Sequence, residues 1–553
     1  MTRDALQVGW SRLTARLGSL GLAILFATAL AQPLQFLDLV YLDYSSGDEG
    51  VLLAGAMRIL HGQVPYRDFF FFQAPGPLYM IAAWLHVFGH TLVSARWLAW
   101  LVNALLVLGL CGLARALKLS RSSLALLLLA QLASGFANWP ILNHHWMVNA
   151  FLALSAALLA ASDRGELRGR LFGAGIMAGM AGLMLQDEGG YWTLLVVLLL
   201  ILSGGQARWP KIGLFAFGEL VVAGPMMAYL MTRASLASVL DSIIFIPLRL
   251  YHAIPANRVS WGQDWLVPFQ RARDLLSSGQ GRWLAVSTLG QGLGMVVVLA
   301  AYPVVAVLAI RRMATFRVLT AGQRWQWLVL MCMSGALLLM ALHRPTILNL
   351  GLALPGPLLV ILWEMERWRE RHRSWVSITA ALLLAVPLAS AAFLYSLPFP
   401  YIGVRATFPL PCGPLTSEVR KEQPSWQMLR QFMETSCKPG DTLFCYYYSS
   451  FYYFVLNIPN PTRYDNFDVG RHDPSMTQGL LAELDAKPPD WILLGGRNSG
   501  ADGDPVVTWV IKRYKPFGQT NGLLIVKRND GVGGQGGGDS QDKGLNSPGP
   551  ILN

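Results

Sequence analysis

Half of the acidic residues among the first hundred positions lie in one stretch, YSSGDEGVLLAGAMRILHGQVPYRDFFFFQAPGPLYM, which runs from Tyr44 to Met80. Asp48 and Glu49 stand side by side there, and Arg67 and Asp68 follow in PYRDF. A carboxylate can act as a general base by taking the proton of a hydroxyl nucleophile. Because adjacent residues of a helix point about 100° apart, we expect only one of Asp48 and Glu49 to face a substrate. Asp is also favoured at helix N-caps, so a purely capping role for Asp48 stays open.

More polar residues stand in short segments between apolar runs. They are Arg96, His144, His145, Asp187, Glu188 and Arg344. The arginines and histidines, together with Arg67, are cations or hydrogen-bond donors that could bind an anionic group. The two acids could pair with Arg67 or Arg344, or be a solvated turn. Adjacent histidines rarely ligate one ion, which favours a helix cap or a substrate contact over a metal site.

The five cysteines predict no metal site, because the sequence contains no CxxC pair. Cys111 and Cys332 lie in apolar runs and are expected to be small core residues. Cys412, Cys437 and Cys445 lie near the C-terminus, where Cys412 and Cys437 could form a disulfide if that region is extracytoplasmic.

The composition indicates the elements that must position these residues. The chain has 553 residues, of which 54% are hydrophobic and 14% are charged, and its mean hydropathy is +0.41. A soluble domain carries about 25% charged residues, so a polytopic α-helical membrane protein is predicted. The net charge of +12 is better explained by basic cytoplasmic loops than by nucleic-acid binding, since no basic stripe marks a soluble domain.

Apolar runs of helical length predict about eleven transmembrane helices. The runs cover residues 18–37, 97–117, 121–137, 145–161, 171–186, 190–203, 212–231, 285–310, 326–342, 346–363 and 374–397. A thirteen-residue piece, 77–89, could either span the membrane or lie on its surface.

The distribution of Lys and Arg favours the surface position for 77–89. If this piece does not span and the N-terminus is cytoplasmic, about nineteen Lys and Arg fall in the inner segments. The short outer turns then hold one Arg, which is the asymmetry that orients membrane helices. Outer loops are predicted at 38–96, with surface helices, and at 232–284, which is read as a flexible loop on the membrane surface.

The chain is expected to have three parts: a transmembrane domain over 1–397, an α/β domain over 398–530, and a flexible Gly-rich tail over 531–553. In the second part, the runs DTLFCYY, DWILLGG and GLLIVKR alternate with helical patterns, which predicts a small α/β domain on the extracytoplasmic side.

The ordered motif from Asp48 to Arg96, GDEG…A…IL.G.VPYRDF….P.GPLYM…..FG….SAR, resembles the first outer loop of GT-C type membrane glycosyltransferases. It is most similar to the protein mannosyltransferase and aminoarabinose transferase group. HRPTILNLGLALPGPLL also resembles a late helix of that group, which implies a phosphate contact for Arg344. The sequence departs from the group in two places: NHHWMVN lacks an acid, and QDEGG carries Asp187 and Glu188 where many relatives have a lysine.

The resemblance implies a glycosyltransferase that moves a sugar from a polyprenyl-phosphate donor to an envelope lipid, glycan or protein on the outer face. It implies Asp48 as general base. Glu49, Arg67, Arg96 and the later polar residues are candidate substrate contacts, as is Asp68, which is expected mainly to fix the loop by hydrogen bonds. No cofactor and no divalent metal are expected. The predicted location is the bacterial inner membrane, with a cytoplasmic N-terminus and a periplasmic C-terminal domain.

Two other functions remain open, a transporter or flippase for a lipid-linked glycan and an inactive membrane scaffold. A transporter should carry charges at mid-bilayer and paired broken helices. The polar residues of this chain cluster at one predicted face instead, which favours the enzyme.

Overall fold

The computed structural model describes residues 18–39, 45–135, 139–162, 167–203, 208–253, 266–277, 282–343, 347–371, 384–385, 388–389, 406–417, 423–446, 450–467, 474–495, 504–520 and 523–529. Most of these residues are helical, as the apolar runs predict. The predicted span 374–397 and the tail 531–553 fall largely or wholly outside the described residues.

Helices make up nearly all of the described chain before residue 372. In chain order they are α1 (Gly18–Phe36), α2 (Gly50–Leu60), α3 (Gly76–Phe88), α4 (Leu92–Ala116), α5 (Arg121–Ser134), α6 (His144–Ala160), α7 (Leu167–Met184), α8 (Gln186–Leu202), α9 (Arg208–Arg233), α10 (Leu236–Leu240), α11 (Ile246–Ala253), α12 (Val267–Ser277), α13 (Arg282–Thr315), α14 (Ala321–His343), α15 (Ile347–Ala353) and α16 (Pro355–Arg371).

Among the residues that the structure describes, five helices are long and apolar enough to cross a membrane, judged by length and composition. They are α1, α4, α9 and the segments Thr288–Val318 and Ala321–Leu342. Large apolar side chains on such helices point outward, as Phe217 and Val307 do with 55% and 65% of their surface exposed. Exposed apolar side chains of this kind are expected where a helix faces lipid. The length, composition and outward apolar surface of these helices confirm the prediction of a helical membrane protein. The count of about eleven spans stays a prediction.

Helix α3 covers the piece whose position the sequence left open. It has thirteen residues, whereas a membrane-crossing helix needs about twenty. Its length therefore supports a surface position, and the side of the membrane stays a prediction.

The segment predicted as a flexible loop over 232–284 is helical where the structure describes it. It contains α10, a π-helical turn at Asp241–Phe245, α11 and α12. These residues therefore form helices, while the flexibility and the surface position expected of the segment stay predictions. Apolar residues that recur at helical spacing, among them Leu240, Ile244 and Leu248, give the segment one apolar face, and all three are exposed.

Helix α8 begins earlier than the apolar run indicates. Leu185 is extended, with φ −156° and ψ 121°, and the helix restarts at Gln186. Asp187 and Glu188 therefore lie in its first turn and not in a separate solvated turn. Acidic residues are favourable there, because the exposed N–H groups of a helix N-terminus carry partial positive charge.

Helices α7 and α9 pack with their backbones almost touching. A Cβ built on Gly175 would lie 2.0 Å from the carbonyl oxygen of Phe215, and one on Gly218 would lie 2.3 Å from that of Phe172. Real Cβ atoms do not come this close, so only glycine fits at either position. This contact sets the distance between α7 and α9, two of the helices that line a cavity beside the candidate site.

The C-terminal region contains the small α/β structure that the sequence predicts. Its strands and helices are β1 (Ala406–Leu410), β2 (Gly413–Ser417), α17 (Gln423–Thr435), β3 (Leu443–Tyr446), α18 (Phe451–Leu456), α19 (Pro474–Ala486), β4 (Trp491–Gly495), α20 (Pro505–Arg513), β5 (Tyr514–Thr520) and β6 (Leu523–Arg528).

Two sheets are formed, a β1–β2 hairpin and a four-stranded sheet of order β3-β4-β6-β5. Strands β3 and β4 are parallel, and the other two pairings are antiparallel. The three predicted strand runs are confirmed as β3, β4 and β6. The domain boundaries near residues 397 and 530 stay predictions.

The cysteines are all free thiols, so the disulfide expected between Cys412 and Cys437 is absent from this structure. Cys412 is buried, and Cys437 is partly exposed. Burial raises the pKa of the Cys412 thiol to about 12, which disfavours the reactive thiolate.

Candidate functional site

Asp48 lies in a short π-helical turn, Ser45–Glu49, that leads directly into α2. Its Oδ2 atom accepts a hydrogen bond of 3.1 Å from the side-chain nitrogen of Asn143, and the residue is partly exposed. The N-cap position of α2 is occupied by Glu49, whose side chain makes no capping hydrogen bond. The structure therefore joins Asp48 to the start of α6. Asp48 does not occupy the N-cap position of α2, so the capping role is not observed.

Glu49 points the other way and is completely buried. Its two carboxylate oxygens accept hydrogen bonds of 2.5 and 2.6 Å from Arg96 Nε and Nη2, and Oε1 also accepts from the backbone N–H of Leu142 at 2.9 Å. Arg96 Nη1 donates to the carbonyl oxygens of Phe36 and Pro140 at 3.0 and 2.7 Å. Adjacent acids thus have separate environments, as the 100° helical offset predicts, and the Glu49–Arg96 pair is enclosed by protein.

The start of α6 brings the histidines to the acids of α8. Asn143 is the N-cap of α6, and its side-chain oxygen accepts from the backbone N–H of His145 at 2.7 Å. The imidazole Nδ1 of His145 forms an ion pair with Glu188, which is 2% exposed. Asp48 and Asp187 also lie close enough to act electrostatically on His145. Glu188 is therefore paired with His145, and not with Arg67 as the sequence left open.

His144 continues the cluster toward the first loop. It is buried, and its Nε2 lies 3.3 Å from the side-chain nitrogen of Gln73. Gln186, at the start of α8, accepts from the backbone N–H of Ala74 at 2.7 Å and donates to the carbonyl oxygen of Phe72 at 3.1 Å. These bonds join the first loop, α6 and α8 at one end of the helix bundle.

Arg67 and Asp68 form an ion pair within the PYRDF loop. Arg67 Nε and Nη2 donate to the two Asp68 oxygens at 2.8 and 2.7 Å, and Oδ2 of Asp68 also accepts from the Val64 N–H at 2.7 Å. The hydrogen bond from Arg67 holds the pKa of Asp68 below its usual range. Arg67 Nη1 reaches the carbonyl oxygen of Arg233 at 3.3 Å, so this loop touches the end of α9.

A cavity of about 600 Å³ lies between the start of α3, the end of α7 and the end of α9. Its lining is almost entirely apolar and includes four methionines. The lining residues are Gly76, Tyr79, Met80, Met180, Leu183, Met184, Val222, Pro225, Met226 and Tyr229. Methionine side chains are flexible and adapt to irregular apolar partners.

Two arginines lie near one end of this cavity, and one of them, Arg67, is paired with Asp68. Tyr79 and Tyr229 stand edge to face there, with ring centroids 5.9 Å apart. The guanidinium of Arg233 lies over the Tyr229 ring at 5.9 Å, and Arg67 interacts electrostatically with both tyrosines. Arg67 and Arg233 are both exposed. The arrangement therefore combines an open apolar cavity with two guanidinium groups near one of its ends.

Arg344 lies outside the described residues, so its predicted phosphate contact stays a prediction. Within the part of the chain that the structure describes, no three His, Cys, Asp or Glu side chains are grouped so that they could hold a metal ion. Metal independence also stays a prediction.

Sequence reasoning missed Asn143, Gln73 and Arg233. The first two are amides, which no charge pattern distinguishes. Arg233 could have been found, because it is an arginine at the predicted outer end of a span, where the charge asymmetry predicts few.

No family model matches the chain, and no curated protein matches it. Among solved structures, the chain is similar to ArnT from Cupriavidus metallidurans bound to undecaprenyl phosphate, with 12% identity and a TM-score of 0.46 over 96% of this chain and 99% of that one. The apo structure of the same protein matches with the same identity and TM-score, over 96% and 100% of the two chains.

A second similar structure is the oligosaccharyltransferase of Archaeoglobus fulgidus in complex with zinc and sulfate. It has 12% identity and a TM-score of 0.48, over 90% of this chain and 71% of that one. At this identity and these TM-scores, no residue role, ligand or substrate is transferred from either protein.

Proposed function

We propose that the protein is an integral membrane glycosyltransferase that moves a sugar from a polyprenyl-phosphate donor to an acceptor at the outer face of the membrane. The observation that carries the proposal is the arrangement at one end of the helix bundle. A partly exposed carboxylate, Asp48, stands in a polar cluster there, and an apolar cavity with guanidinium groups near its mouth begins beside that cluster.

Cluster and cavity share one end of the bundle because of where their residues lie on the helices. His144 and Gln186 stand at the starts of α6 and α8, and Gly76 at the start of α3 lines the cavity. Gln73, which contacts His144, is three residues before Gly76. A ligand could therefore place an apolar chain in the cavity while its polar end reaches the cluster.

The donor fits this division. The polyprenyl chain would occupy the cavity, where burial of apolar surface stabilises it by about 25 cal/mol per Å². The phosphate would lie between Arg67 and Arg233, because guanidinium groups form strong charge-assisted hydrogen bonds to phosphate oxygens, and Arg67 would exchange its ion pair with Asp68 for the phosphate. Tyr79 and Tyr229 would surround the point where chain and phosphate join.

Asp48 then acts as the general base. Its carboxylate takes the proton of an acceptor hydroxyl while that oxygen attacks the anomeric carbon. The bond from that carbon to the phosphate oxygen breaks, and the lipid phosphate leaves with its negative charge stabilised by the two arginines. The lipid phosphate is a good leaving group, so one carboxylate suffices for an inverting transfer.

The remaining predicted site residues take supporting parts in this proposal. His144, His145, Asp187 and Glu188 would contact the sugar or the acceptor hydroxyl beside Asp48. Glu49 and Arg96 would stabilise the turn that carries Asp48, since their side chains bind each other and the backbone around them. Asp68 would fix the loop that carries Arg67.

The proposal includes the orientation and the location expected from the sequence, a bacterial inner membrane with the C-terminal domain in the periplasm. It needs no nucleotide, because the sugar arrives already attached to a lipid phosphate. The acceptor would be an envelope lipid, glycan or protein. Purified protein mixed with polyprenyl-phosphate sugars and host envelope extract should release free polyprenyl phosphate. If no donor is consumed while the protein moves lipid-linked glycans across vesicle membranes, the transporter function replaces this one.

Replacing Arg233 with glutamine should raise the KM for the donor about 10- to 100-fold. A hydrogen bond to a charged group contributes about 1.5–3 kcal/mol, and each 1.4 kcal/mol is a factor of ten. Steady-state release of polyprenyl phosphate over a range of donor concentrations measures the change. Arg249→Gln is the matched control, because Arg249 is exposed and pairs with Asp241 at 2.6 Å. An unchanged donor KM in Arg233→Gln would remove Arg233 from the phosphate site.

Filling the cavity should discriminate between donors by chain length. Met226→Trp places a larger side chain in the lining and takes space from the lipid chain, so the KM for a long-chain donor should rise about tenfold, which corresponds to about 1.4 kcal/mol of lost binding. A donor analogue with a short prenyl chain should keep its KM. Leu220→Trp changes an exposed residue of the same helix and should affect neither donor. Equal effects of Met226→Trp on both donors would contradict a lipid-chain site.

A further inference from the structure

The C-terminal region contacts the first loop on both sides of the Asp48 turn. Before the turn, Thr416 of β2 donates to Asp38 twice, from its backbone N–H to the carbonyl oxygen at 2.9 Å and from its hydroxyl to the carboxylate at 2.8 Å. Leu39 and Thr416 form an isolated parallel β-bridge at the same place. The chain that enters the turn is therefore attached to the β1–β2 hairpin.

After the turn, α18 lies directly on the backbone of α2. A Cβ added to Gly50 would lie 2.5 Å from the backbone nitrogen of Phe451 and 2.9 Å from its Cα. Both are backbone atoms, so no side-chain movement could relieve the clash. Gly50 is two residues after Asp48, and this close approach requires glycine.

Arg58, two turns further along α2, is attached to the same region through a buried ion pair. Its Nε and Nη2 donate to Asp465 Oδ1 at 2.9 and 2.7 Å, and Nη2 also donates to the carbonyl oxygen of Thr462 at 2.6 Å. Nη1 donates to Gln63 at 3.0 Å. The side chains of Arg58 and Asp465 are only 10% and 7% exposed. Two of the guanidinium nitrogens, Nε and Nη2, thus bind the C-terminal region and hold α2 against it.

A further contact lies beyond α2. The backbone N–H of Phe70 donates to the carbonyl oxygen of Arg463 at 2.8 Å, and the Phe70 ring lies 5.6 Å from that of Tyr464. The segment 462–465 therefore holds both the end of α2 and the loop that follows Arg67.

We infer that the C-terminal domain sets the conformation of the Asp48 turn, and that Arg58 is the positioning residue through which it does so. The inference rests on the proposed function for its catalytic consequence. Asp48 lies just before the start of α2. The first residue of α2 packs on α18, and its last turn is bound by Asp465. A displacement of α2 would move the carboxylate relative to the anomeric carbon, and misplacement by about 1 Å can cost a factor of about 100 in rate.

The experiment compares Arg58→Gln, Arg58→Lys and Arg430→Gln in the full-length protein. Arg58→Gln should lower kcat for lipid-phosphate release about 10- to 100-fold and leave the donor KM unchanged. Arg58→Lys keeps the charge without the two-pronged geometry, so it should restore part of kcat. Arg430→Gln removes an exposed ion pair with Glu434 in the same domain and should change neither constant. A merely structural role would lower the folded fraction and leave kcat per folded molecule unchanged.

Hydrogen exchange makes the test independent of activity. In Arg58→Gln, backbone amides of residues 45–60 should exchange about tenfold faster, and those of α14 should be unchanged. Unchanged exchange at 45–60 overturns the inference, whatever the activity. If the wild type transfers no sugar but exchange rises as expected, the proposed function fails and the positioning of the turn stands. Should Arg58→Gln not fold, Gly50→Ala tests the same interface, and normal exchange and kcat in that variant would also overturn the inference.

Discussion

Replacing Asp48 with asparagine should lower the rate of lipid-phosphate release about 100- to 10,000-fold and leave the fold intact. The rate falls because the variant has no general base: an amide cannot take the proton, and general base catalysis contributes a factor of this size. The fold should persist, because the amide oxygen of the variant can still accept the hydrogen bond that Asn143 donates to Asp48. Single-turnover release of polyprenyl phosphate and a thermal unfolding curve in the same detergent measure both quantities.

The matched control is Asp241→Asn. Asp241 is half exposed and pairs with Arg249 in the helical segment after α9, so the same carboxylate-to-amide change should leave the rate within about twofold. Wild-type activity in Asp48→Asn would remove Asp48 from the catalytic role.

Two other carboxylates compete with Asp48 for that role, and the geometry ranks them. Glu188 is almost fully buried and is paired with His145, so it has little freedom to accept a proton from an incoming hydroxyl. Asp187 is partly exposed, but its carboxylate accepts a hydrogen bond of 2.9 Å from the backbone N–H of Glu188, which holds it against the first turn of α8. Asp187→Asn and Glu188→Gln should therefore reduce the rate less than Asp48→Asn does. A larger loss in either would transfer the role of base to that residue.

The helices could be predicted from the sequence because they depend on local patterns. Apolar runs of about twenty residues and β-like runs near the C-terminus indicate elements without any knowledge of packing. The failures lie where a local pattern is ambiguous. QDEGG resembles a turn by composition, yet its two acids begin α8, because Leu185 alone is extended and the chain resumes its helix at once.

The acids and histidines of the polar cluster stand out in the sequence, but their pairings do not. His145 and Glu188 are 43 positions apart and meet only because α6 and α8 pack together. The amides that connect the cluster, Asn143 and Gln73, carry no charge and so give no signal in a charge pattern. A single sequence thus identifies which polar residues stand at one end of the bundle, while their partners depend on how the helices pack.

The neighbouring acid should behave in the opposite way to Asp48. Glu49→Gln and Arg96→Gln should each lower the free energy of unfolding by about 3–5 kcal/mol, since removing one partner of a buried ion pair leaves the other charge uncompensated. Arg96 would keep its bonds to the carbonyl oxygens of Phe36 and Pro140, and these would not neutralise its charge. Chemical denaturation in detergent measures the change, and kcat is normalised to the folded fraction.

The double variant Glu49→Gln/Arg96→Gln tests whether the pair itself is responsible. Because each single change leaves an unpaired charge and the double change leaves none, the double variant should be less destabilised than the sum of the two. Its free energy of unfolding should remain below that of the wild type, since Arg96→Gln also alters the donor to the carbonyl oxygens of Phe36 and Pro140. If Glu49→Gln is as stable as the wild type and its kcat falls as far as that expected of Asp48→Asn, then Glu49 faces the acceptor and the assignment of the two adjacent acids is reversed.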